Sequence, residues 1–325
     1  MSRVAGGAIE PINSSESGVS PRPSGRALPA LIETSKPRIT RMVTITAGVG
    51  FALPALTATW TAGSLAAVAT GVVVGTALSA AGANSLNQWM ERGRDALMPR
   101  TCGRPLPQVR VSPQAVLAFG LTCSMLGVLC LLVLAGPAPA MVSLATIVIY
   151  LLLYTPSKVV TPLSTLIGAV PGALPPLIGW SAGAGGGFDT LMALGGWTLF
   201  LIMFVWQIPH FLAIAWLYRD DYALGGYKVL AVVDPTGSRT SMVMLVWTAA
   251  LLGVSLAPAF AMPEALGPVY MVIAMLTGGA FMALTVRFAI QRTKGAARLA
   301  FIGSVIHLPL LLVAMVGEAI VRAMV

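Results

Sequence analysis

Charged residues are scarce in this sequence. They make up only 10% of its 325 residues, whereas hydrophobic residues make up 57%, and the mean hydropathy is +0.85. In a typical soluble domain about a quarter of the residues are charged, so the composition excludes that class of protein. It predicts a polytopic membrane protein instead.

Cysteine and histidine are rare as well. The three cysteines have neither the spacing of metal ligands nor that of a disulfide framework. The two histidines, His210 and His307, are too few for a histidine metal centre. Positive charge is in excess, with a formal net charge of +9. The positions of these charges favour a membrane topology over nucleic-acid binding.

The N-terminal residues 1–27 are rich in serine, glycine and proline and have no apolar periodicity, which predicts a disordered tail. They contain no apolar core followed by a small-residue cleavage site, so we do not expect a secretory signal peptide. Three arginines would suit a mitochondrial transit peptide, but two glutamates and the prolines disfavour the amphipathic helix that it needs. We therefore expect a bacterial tail followed by a transmembrane domain over residues 28–325.

Nine apolar stretches follow the tail, each near the roughly 20 residues that a helix needs to cross a bilayer. The sequence thus predicts an all-α membrane protein with nine transmembrane helices. Their expected limits are 39–58, 63–86, 112–135, 138–155, 162–183, 190–217, 240–261, 267–288 and 299–321.

The basic residues alternate sharply between the two sides that these spans define. Of the 20, 19 lie in the tail, in the start of the first span, or after spans two, four, six and eight, and the remaining one is Arg322. The positive-inside rule then predicts a cytoplasmic N-terminus and a C-terminus on the opposite side. Five acidic residues share two of these basic loops, which suggests a charged ligand held with a metal ion. They are Glu91, Asp95, Asp220, Asp221 and Asp234.

The first functional motif closes the second span. Asn87, Glu91 and Asp95 are spaced by four residues and therefore share one face of a helix. Carboxylate and amide oxygens suit magnesium, and the guanidinium groups that follow suit phosphate oxygens. The motif predicts a diphosphate held through Mg²⁺, although the spacing alone fits a solvated helix end with ordinary charge pairs equally well. The arginines are Arg92, Arg94, Arg100, Arg104 and Arg110.

Three further stretches stand out. Tyr154 and Lys158 follow the fourth span, separated by three residues. Residues 168–180 are rich in glycine and proline, which a span tolerates where it lines a cavity or packs closely on its neighbours. The run from Trp206 to Phe211 reads Trp-Gln-Ile-Pro-His-Phe and leads on to the adjacent acids Asp220 and Asp221.

Taken together, these motifs resemble those of the protohaem IX farnesyltransferases, or haem O synthases, within the UbiA-type superfamily of intramembrane aromatic prenyltransferases. The resemblance extends from about residue 30 to the end of the chain. That superfamily carries an Asn-x3-Asp-x3-Asp motif, in which Glu91 here takes the middle position. Tyr154 and Lys158 match its Tyr-x3-Lys element. In the second aspartate-rich motif, Asp220 and Asp221 are adjacent rather than four apart.

The resemblance implies an all-helical bundle around a lipid-accessible cavity capped by cytoplasmic loops. It implies that farnesyl diphosphate and haem B react, with addition of water, to give haem O and diphosphate, with Mg²⁺ as cofactor. It also implies the following site residues. Metal ligands would be Asn87, Glu91, Asp95, Asp220 and Asp221, of which all but Asp220 are expected to be catalytic; diphosphate contacts would be Arg100, Arg104, Lys158, Lys228 and Tyr154; haem contacts would be His210 and Trp206.

Other functions remain open at this stage. The main alternative is a related enzyme that prenylates an aromatic quinone precursor such as 4-hydroxybenzoate, which Glu91 and the Pro-His-Phe stretch disfavour. A transporter would place charges near the bilayer midplane rather than at one face, and an assembly factor would not need paired acids and arginines. We expect the bacterial inner membrane and no nucleic-acid partner. An association with haem A synthase or with terminal oxidase assembly is left open.

Overall fold

A computed structural model describes residues 27–324 of the chain. The predicted disordered tail lies outside the described residues apart from its last residue. Every regular element between Ala27 and Met324 is helical, so the prediction of an all-α fold is confirmed. We number the helices in chain order and count the runs that make up one membrane span as a single helix, although the run is broken at Leu174 in one span and at residues 255–256 in another. A short 3₁₀ helix, Phe188–Met192, is left out of this numbering. The numbered helices are α1 (Ala27–Thr34), α2 (Pro37–Ala55), α3 (Ala62–Asp95), α4 (Pro113–Leu134), α5 (Pro137–Ser157), α6 (Ser164–Gly183), α7 (Leu194–Leu217), α8 (Arg219–Leu224), α9 (Leu230–Val233), α10 (Ser238–Ala261), α11 (Pro268–Gln291) and α12 (Lys294–Met324).

Eight helices of the described chain are long and apolar enough to cross a membrane. Each of the nine predicted spans overlaps one helix, but the first of them, 39–58, falls on α2, which is not among the eight. The physical reason is that Arg38 and Arg41 lie in the first turns of α2 and lower its hydropathy. The chain is a multi-pass membrane protein, as its composition predicts.

Proline and serine mark where several of these helices begin. Pro113, Pro137 and Pro268 each occupy the first position of a helix, where the missing N–H has no intrahelical partner to lose. The Ser112 hydroxyl accepts a hydrogen bond from the Ala115 N–H and so caps α4. The helix boundaries are therefore encoded locally even where the spans between them are uniformly apolar.

Small residues let α3 and α4 approach closely. A Cβ atom on Gly82 would overlap the Ser124 backbone, and one on Gly127 would overlap the backbone of Ser79. Such contacts between small residues commonly hold helices together in a membrane. The hydrophobic effect does not drive helices together in lipid, so close van der Waals packing has to do so. Because α3 carries the first motif at its end, this seam fixes the position of the predicted ligands.

The loops after α3, α5 and α7 meet at one end of the bundle, which we call the polar end; it comprises residues 96–112, 158–163 and 218–237. The Lys228 N–H donates to the Lys158 carbonyl oxygen at 2.7 Å, and the Arg100 N–H donates to Asp221 Oδ2 at 3.1 Å. At the other side of the same end, α12 begins beside α8, since Lys294 Nζ lies 3.0 Å from Asp220 Oδ2. The fold therefore brings together charged residues that are up to 121 positions apart in the sequence.

Candidate active site

The oxygen-bearing side chains of the first motif lie on the last turns of α3. Asn87, Glu91 and Asp95 are 1%, 7% and 1% exposed, respectively. A solvated helix end would leave them open to water, so their burial contradicts that reading of the motif. We call these three residues the ligand row.

Each member of the ligand row accepts a hydrogen bond from a basic side chain of a different segment. The pairs are Lys36 Nζ with Asn87 Oδ1 at 2.8 Å, Lys158 Nζ with Glu91 Oε1 at 2.7 Å, and Arg104 Nη1 with Asp95 Oδ2 at 2.6 Å. Three basic side chains thus face two carboxylates and one amide. The surplus of positive charge favours an anion in this place.

Two tyrosine rings hold the Lys158 ammonium in addition to its ion pair with Glu91. Its ammonium lies 4.4 Å from the centroid of the Tyr154 ring and 5.9 Å from that of the Tyr227 ring, both within the range of cation–π attraction. Burial alone would lower the pKa of Lys158, but Tyr154 and Glu91 outweigh burial and raise it well above its ordinary value. Lys158 is therefore expected to carry a positive charge where it meets Glu91.

The amide of Asn87 is oriented by its neighbours. Its Nδ2 donates to Thr155 Oγ1 at 3.0 Å, and that hydroxyl in turn donates to the Tyr150 carbonyl oxygen at 2.8 Å. Because the Thr155 hydroxyl uses its only hydrogen in the bond to Tyr150, it can only accept a hydrogen bond from Asn87, which leaves Asn87 Oδ1 facing Lys36. The oxygen that a metal ion would use is thus already turned toward the basic side chains.

The two adjacent aspartates of the second motif point in different directions. Asp221 is bound to the Arg100 N–H in the loop after α3, which places it at the same end as the ligand row. Asp220 is exposed and pairs with Lys294 and Arg219. The structure therefore brings Asp221, but not Asp220, to the loop that carries Arg100 and Arg104.

The remaining predicted diphosphate contacts are less central. The Arg100 guanidinium lies 5.1 Å and 5.3 Å from the ring centroids of Tyr218 and Tyr222. Lys228 is joined to the site through its backbone, and its side chain is exposed. Both lie at the rim of the site, whereas Lys158 and Arg104 lie inside it.

The donor set fits Mg²⁺ only together with a ligand that brings its own oxygens. Between residues 27 and 324 no three His, Cys, Asp or Glu side chains form a cluster that could hold a metal ion. The ligand row offers two carboxylates and an amide on one buried face. Magnesium is commonly bound by one or two carboxylates plus substrate phosphates, so the row matches that mode of binding.

The two predicted haem contacts, His210 and Trp206, lie on α7. The Ser304 hydroxyl donates to the Phe301 carbonyl oxygen at 2.6 Å and lies 2.7 Å from His210 Nδ1. It must therefore accept a hydrogen bond from Nδ1–H, which leaves the lone pair of the neutral imidazole on Nε2. The Trp206 ring stacks on the imidazole with their centroids 4.6 Å apart, so the ring is fixed in orientation.

His307 has a structural contact. It is 1% exposed, and its Nδ1 lies 2.9 Å from Thr277 Oγ1 on the neighbouring helix. This hydrogen bond links α11 to α12, while His307 Nε2 is buried and has no hydrogen-bond partner within the described residues.

Sequence reasoning missed three residues of the site. Lys36 counted only as a topological charge, because it lies 51 residues from its partner and no spacing connects them. Asn84, one turn before the ligand row, is 5% exposed and donates to Thr40 Oγ1 at 3.2 Å. Tyr227 is 4% exposed and lies beside Lys158. The only signal for it in the sequence was that it directly precedes Lys228, a predicted diphosphate contact.

A multi-pass helical bundle with buried oxygen ligands and basic side chains at one end has the architecture of an intramembrane prenyltransferase. The chain belongs to the UbiA prenyltransferase family, whose family model matches residues 39–312. It is 42% identical over 286 residues to a protoheme IX farnesyltransferase of Solibacter usitatus, an alignment that covers 86% of this chain and 95% of that protein.

Solved structures show the same fold at low sequence identity. A digeranylgeranylglyceryl phosphate synthase superposes with a TM-score of 0.74 at 14% identity, covering 91% of this chain and 99% of that chain. A UbiA homologue from Archaeoglobus fulgidus, bound to GPP and Mg²⁺, has a TM-score of 0.53 at 14% identity and covers 89% and 100%. The resemblance inferred from the motifs is thus confirmed for the family and for the fold.

Proposed function

We propose that this protein transfers the farnesyl group of farnesyl diphosphate to a vinyl group of haem B, giving haem O. Two facts support the proposal: the relative from Solibacter usitatus is a protoheme IX farnesyltransferase, and the fold is that of a protein seen with a prenyl diphosphate and Mg²⁺. The observation that carries the proposal is the ligand row, in which three buried side-chain oxygens each accept a hydrogen bond from a basic side chain.

Each part of the site has a task in the binding of the diphosphate. Asn87, Glu91 and Asp95, with Asp221 at the rim, would hold Mg²⁺, which when bound neutralises charge on the leaving group. Lys158 and Arg104 donate hydrogen bonds to phosphate oxygens and stabilise the negative charge that grows as the carbon–oxygen bond breaks. Arg100, Lys228 and Tyr154 complete the surroundings of the diphosphate, in the positions described above.

The reaction balances without a strong protein base. The carbon–oxygen bond of farnesyl diphosphate breaks, and its electron pair leaves with the diphosphate. The vinyl group of haem supplies the pair for the new carbon–carbon bond, and the cation beside the porphyrin takes a hydroxyl from water with release of a proton. The bundle must exclude water from the first cation. His210, with its lone pair on Nε2, and Trp206 are proposed to contact the haem.

We propose that the protein lies in the inner membrane of a bacterium and that its polar end faces the cytoplasm. The charged head of farnesyl diphosphate would then enter from water at the polar end, while its tail lies among apolar helices. The product would be available to haem A synthase or to terminal oxidase assembly in the same membrane.

A direct assay tests the proposal. Purified protein is incubated with haem B, farnesyl diphosphate and MgCl₂, and the products are identified by mass spectrometry; haem O is expected, and chelation of Mg²⁺ is expected to abolish it. Prenylation of 4-hydroxybenzoate without formation of haem O would replace the proposal by the quinone-precursor alternative.

A further inference from the structure

Lys36 occupies an unusual position between α1 and α2. Its backbone is left-handed, with φ 50° and ψ 66°, a conformation that non-glycine residues adopt rarely and at a cost. Its side chain turns into the protein and donates to Asn87 Oδ1 at 2.8 Å. No motif in the sequence connects this lysine with the ligand row.

The backbone on both sides of Lys36 is fixed to α3. The Thr34 carbonyl oxygen accepts from Gln88 Nε2 at 2.9 Å, and Thr34 Oγ1 lies 2.9 Å from Ser85 Oγ. On the other side, Thr40 Oγ1 accepts from Asn84 Nδ2 of α3 at 3.2 Å and donates to the Ser35 carbonyl oxygen. The movable part of this segment is therefore the lysine side chain, whose four-carbon stem is flexible.

Lys36 differs from the other two basic partners of the ligand row. Lys158 and Arg104 pair with carboxylates, whereas Lys36 pairs with a neutral amide. A hydrogen bond between two charged groups is the stronger kind, so the Lys36 contact is the easiest of the three to exchange.

A metal ion and the Lys36 ammonium on the same amide oxygen would lie close together and repel each other, so the two cations compete for Asn87 Oδ1. Asn87 Nδ2 is held by Thr155, so Oδ1 is the atom that Asn87 can offer to either cation. We propose that Lys36 is a placeholder cation, which holds Asn87 Oδ1 while the site is empty and moves to a phosphate oxygen when Mg²⁺ and diphosphate enter. The proposal rests on the proposed function, since it takes the ligand row as the diphosphate site.

The exchange has a thermodynamic consequence. Lys36 competes with a divalent ion that arrives alone, but it joins the ligand when the ion arrives with a diphosphate. It therefore disfavours the metal-only state and makes the binding of metal and diphosphate cooperative, and such coupling is reciprocal. A lysine that merely supported the fold would weaken both kinds of binding when removed.

Binding measurements on the full-length protein in nanodiscs distinguish these roles. Mn²⁺ serves as the metal probe, with free Mn²⁺ counted by electron paramagnetic resonance, and radiolabelled inorganic pyrophosphate serves as the anion probe at fixed free Mn²⁺. In Lys36→Met, we expect the affinity for Mn²⁺ alone to rise about threefold or more and the affinity for pyrophosphate to fall about tenfold. These opposite signs are the mark of a placeholder.

Two variants serve as controls. Arg41→Met removes one charge from α2, the helix that follows Lys36, but Arg41 is exposed, so both affinities should stay within about twofold of the wild type. Lys36→Gly removes the same ammonium and relieves the left-handed backbone; it should repeat the two shifts even if Lys36→Met folds poorly.

The outcomes separate the two proposals. Equal weakening of both affinities in Lys36→Gly, or no change in either, would overturn the placeholder role while leaving the proposed function in place. A wild-type protein that binds neither Mn²⁺ nor pyrophosphate would overturn the ligand row as a diphosphate site and the placeholder with it.

Discussion

At the scale of single residues, Asp95 gives the most direct test of the proposed metal site. It is buried at the end of α3 with Arg104 as its partner. Asp95→Asn keeps the shape and a hydrogen-bond acceptor but removes the negative charge with which Asp95 is proposed to hold Mg²⁺. We expect the formation of haem O to fall by a factor of about 100 or more, the scale of removing one electrostatic contact to a transition state.

The same variant should remain folded. Asparagine can still accept from Arg104, so we expect the melting temperature in detergent to change by only a few degrees. Asp189→Asn, an exposed acid at the opposite end, is the matched control and should keep full turnover. Wild-type turnover in Asp95→Asn would remove Asp95 from the metal site.

Asp234 illustrates the opposite case, an acid of the polar end with a structural role. It is 5% exposed and accepts from the Thr240 N–H at 2.7 Å and from Thr240 Oγ1 at 2.9 Å, which caps the start of α10. Asp234→Ala should therefore destabilise the protein by about 1–2 kcal/mol, measured by thermal unfolding in detergent. Glu264→Ala, an exposed acid, should not.

The effect of Asp234 should depend on pH with a defined sign. Burial raises the pKa of Asp234, but the hydrogen bonds from Thr240 outweigh burial and bring it below its usual value. A depressed folded-state pKa contributes stability that is present above the unfolded-state pKa of about 4 and is lost as the pH falls through the folded-state value. The gap in melting temperature between wild type and Asp234→Ala should therefore shrink below about pH 4. A constant gap down to pH 2 would contradict this account.

Local spacing predicted part of the site and could not predict the rest. The face shared by Asn87, Glu91 and Asp95 follows from helical periodicity alone. That periodicity does not reveal which cation meets which oxygen, because Lys36 and Lys158 come from segments 51 and 67 residues away. The separate directions of Asp220 and Asp221 were equally hidden, since they depend on where α12 begins.

At the scale of the helices, hydropathy located the spans because the bilayer imposes one length and one polarity on all of them. It could not show that the middle of α3 and the end of α5 are π-helical, over Gly71–Gly75 and Ile149–Tyr154. Such turns shift the register of the residues that follow them and are frequent at functional sites. The turn in α5 ends at Tyr154, directly before Thr155 and Lys158.

The seam between α3 and α4 gives a prediction at this scale. Gly127→Ala places a methyl group onto the backbone of Ser79, so the helices must separate, and we expect a loss of about 1–3 kcal/mol of stability with reduced turnover. Gly253→Ala is the matched control, because a Cβ atom there meets nothing within 4 Å. Replacing glycine by alanine in a helix is otherwise neutral or stabilising, so Gly253→Ala should melt at or above the wild-type temperature. Equal behaviour of the two variants would mean that the seam is not close-packed in the membrane.

The whole molecule places its chemistry at one end. The ligand row on the last turns of α3 lies next to the loops of the polar end, which supply Arg104, Lys158 and Asp221. The opposite end is reached by the loop between α10 and α11. The charges that orient a membrane protein and those that bind a diphosphate thus lie in the same loops. This overlap explains why the distribution of arginine and lysine indicated both the topology and the site.

The orientation of the molecule can be tested with its own cysteines. Cys102 lies in the loop after α3 at the polar end, partly exposed, and Cys123 and Cys130 lie within α4. With Cys123 and Cys130 replaced by alanine, a membrane-impermeant maleimide should label Cys102 in inverted vesicles but not in intact cells, because the positive-inside rule puts this loop in the cytoplasm. A protein that lacks all three native cysteines and carries Glu264→Cys, in the loop between α10 and α11, should show the reverse pattern. If Cys102 is labelled in intact cells and the Glu264→Cys protein only in inverted vesicles, the site faces away from the cytoplasm, and the farnesyl diphosphate it uses would have to come from that side.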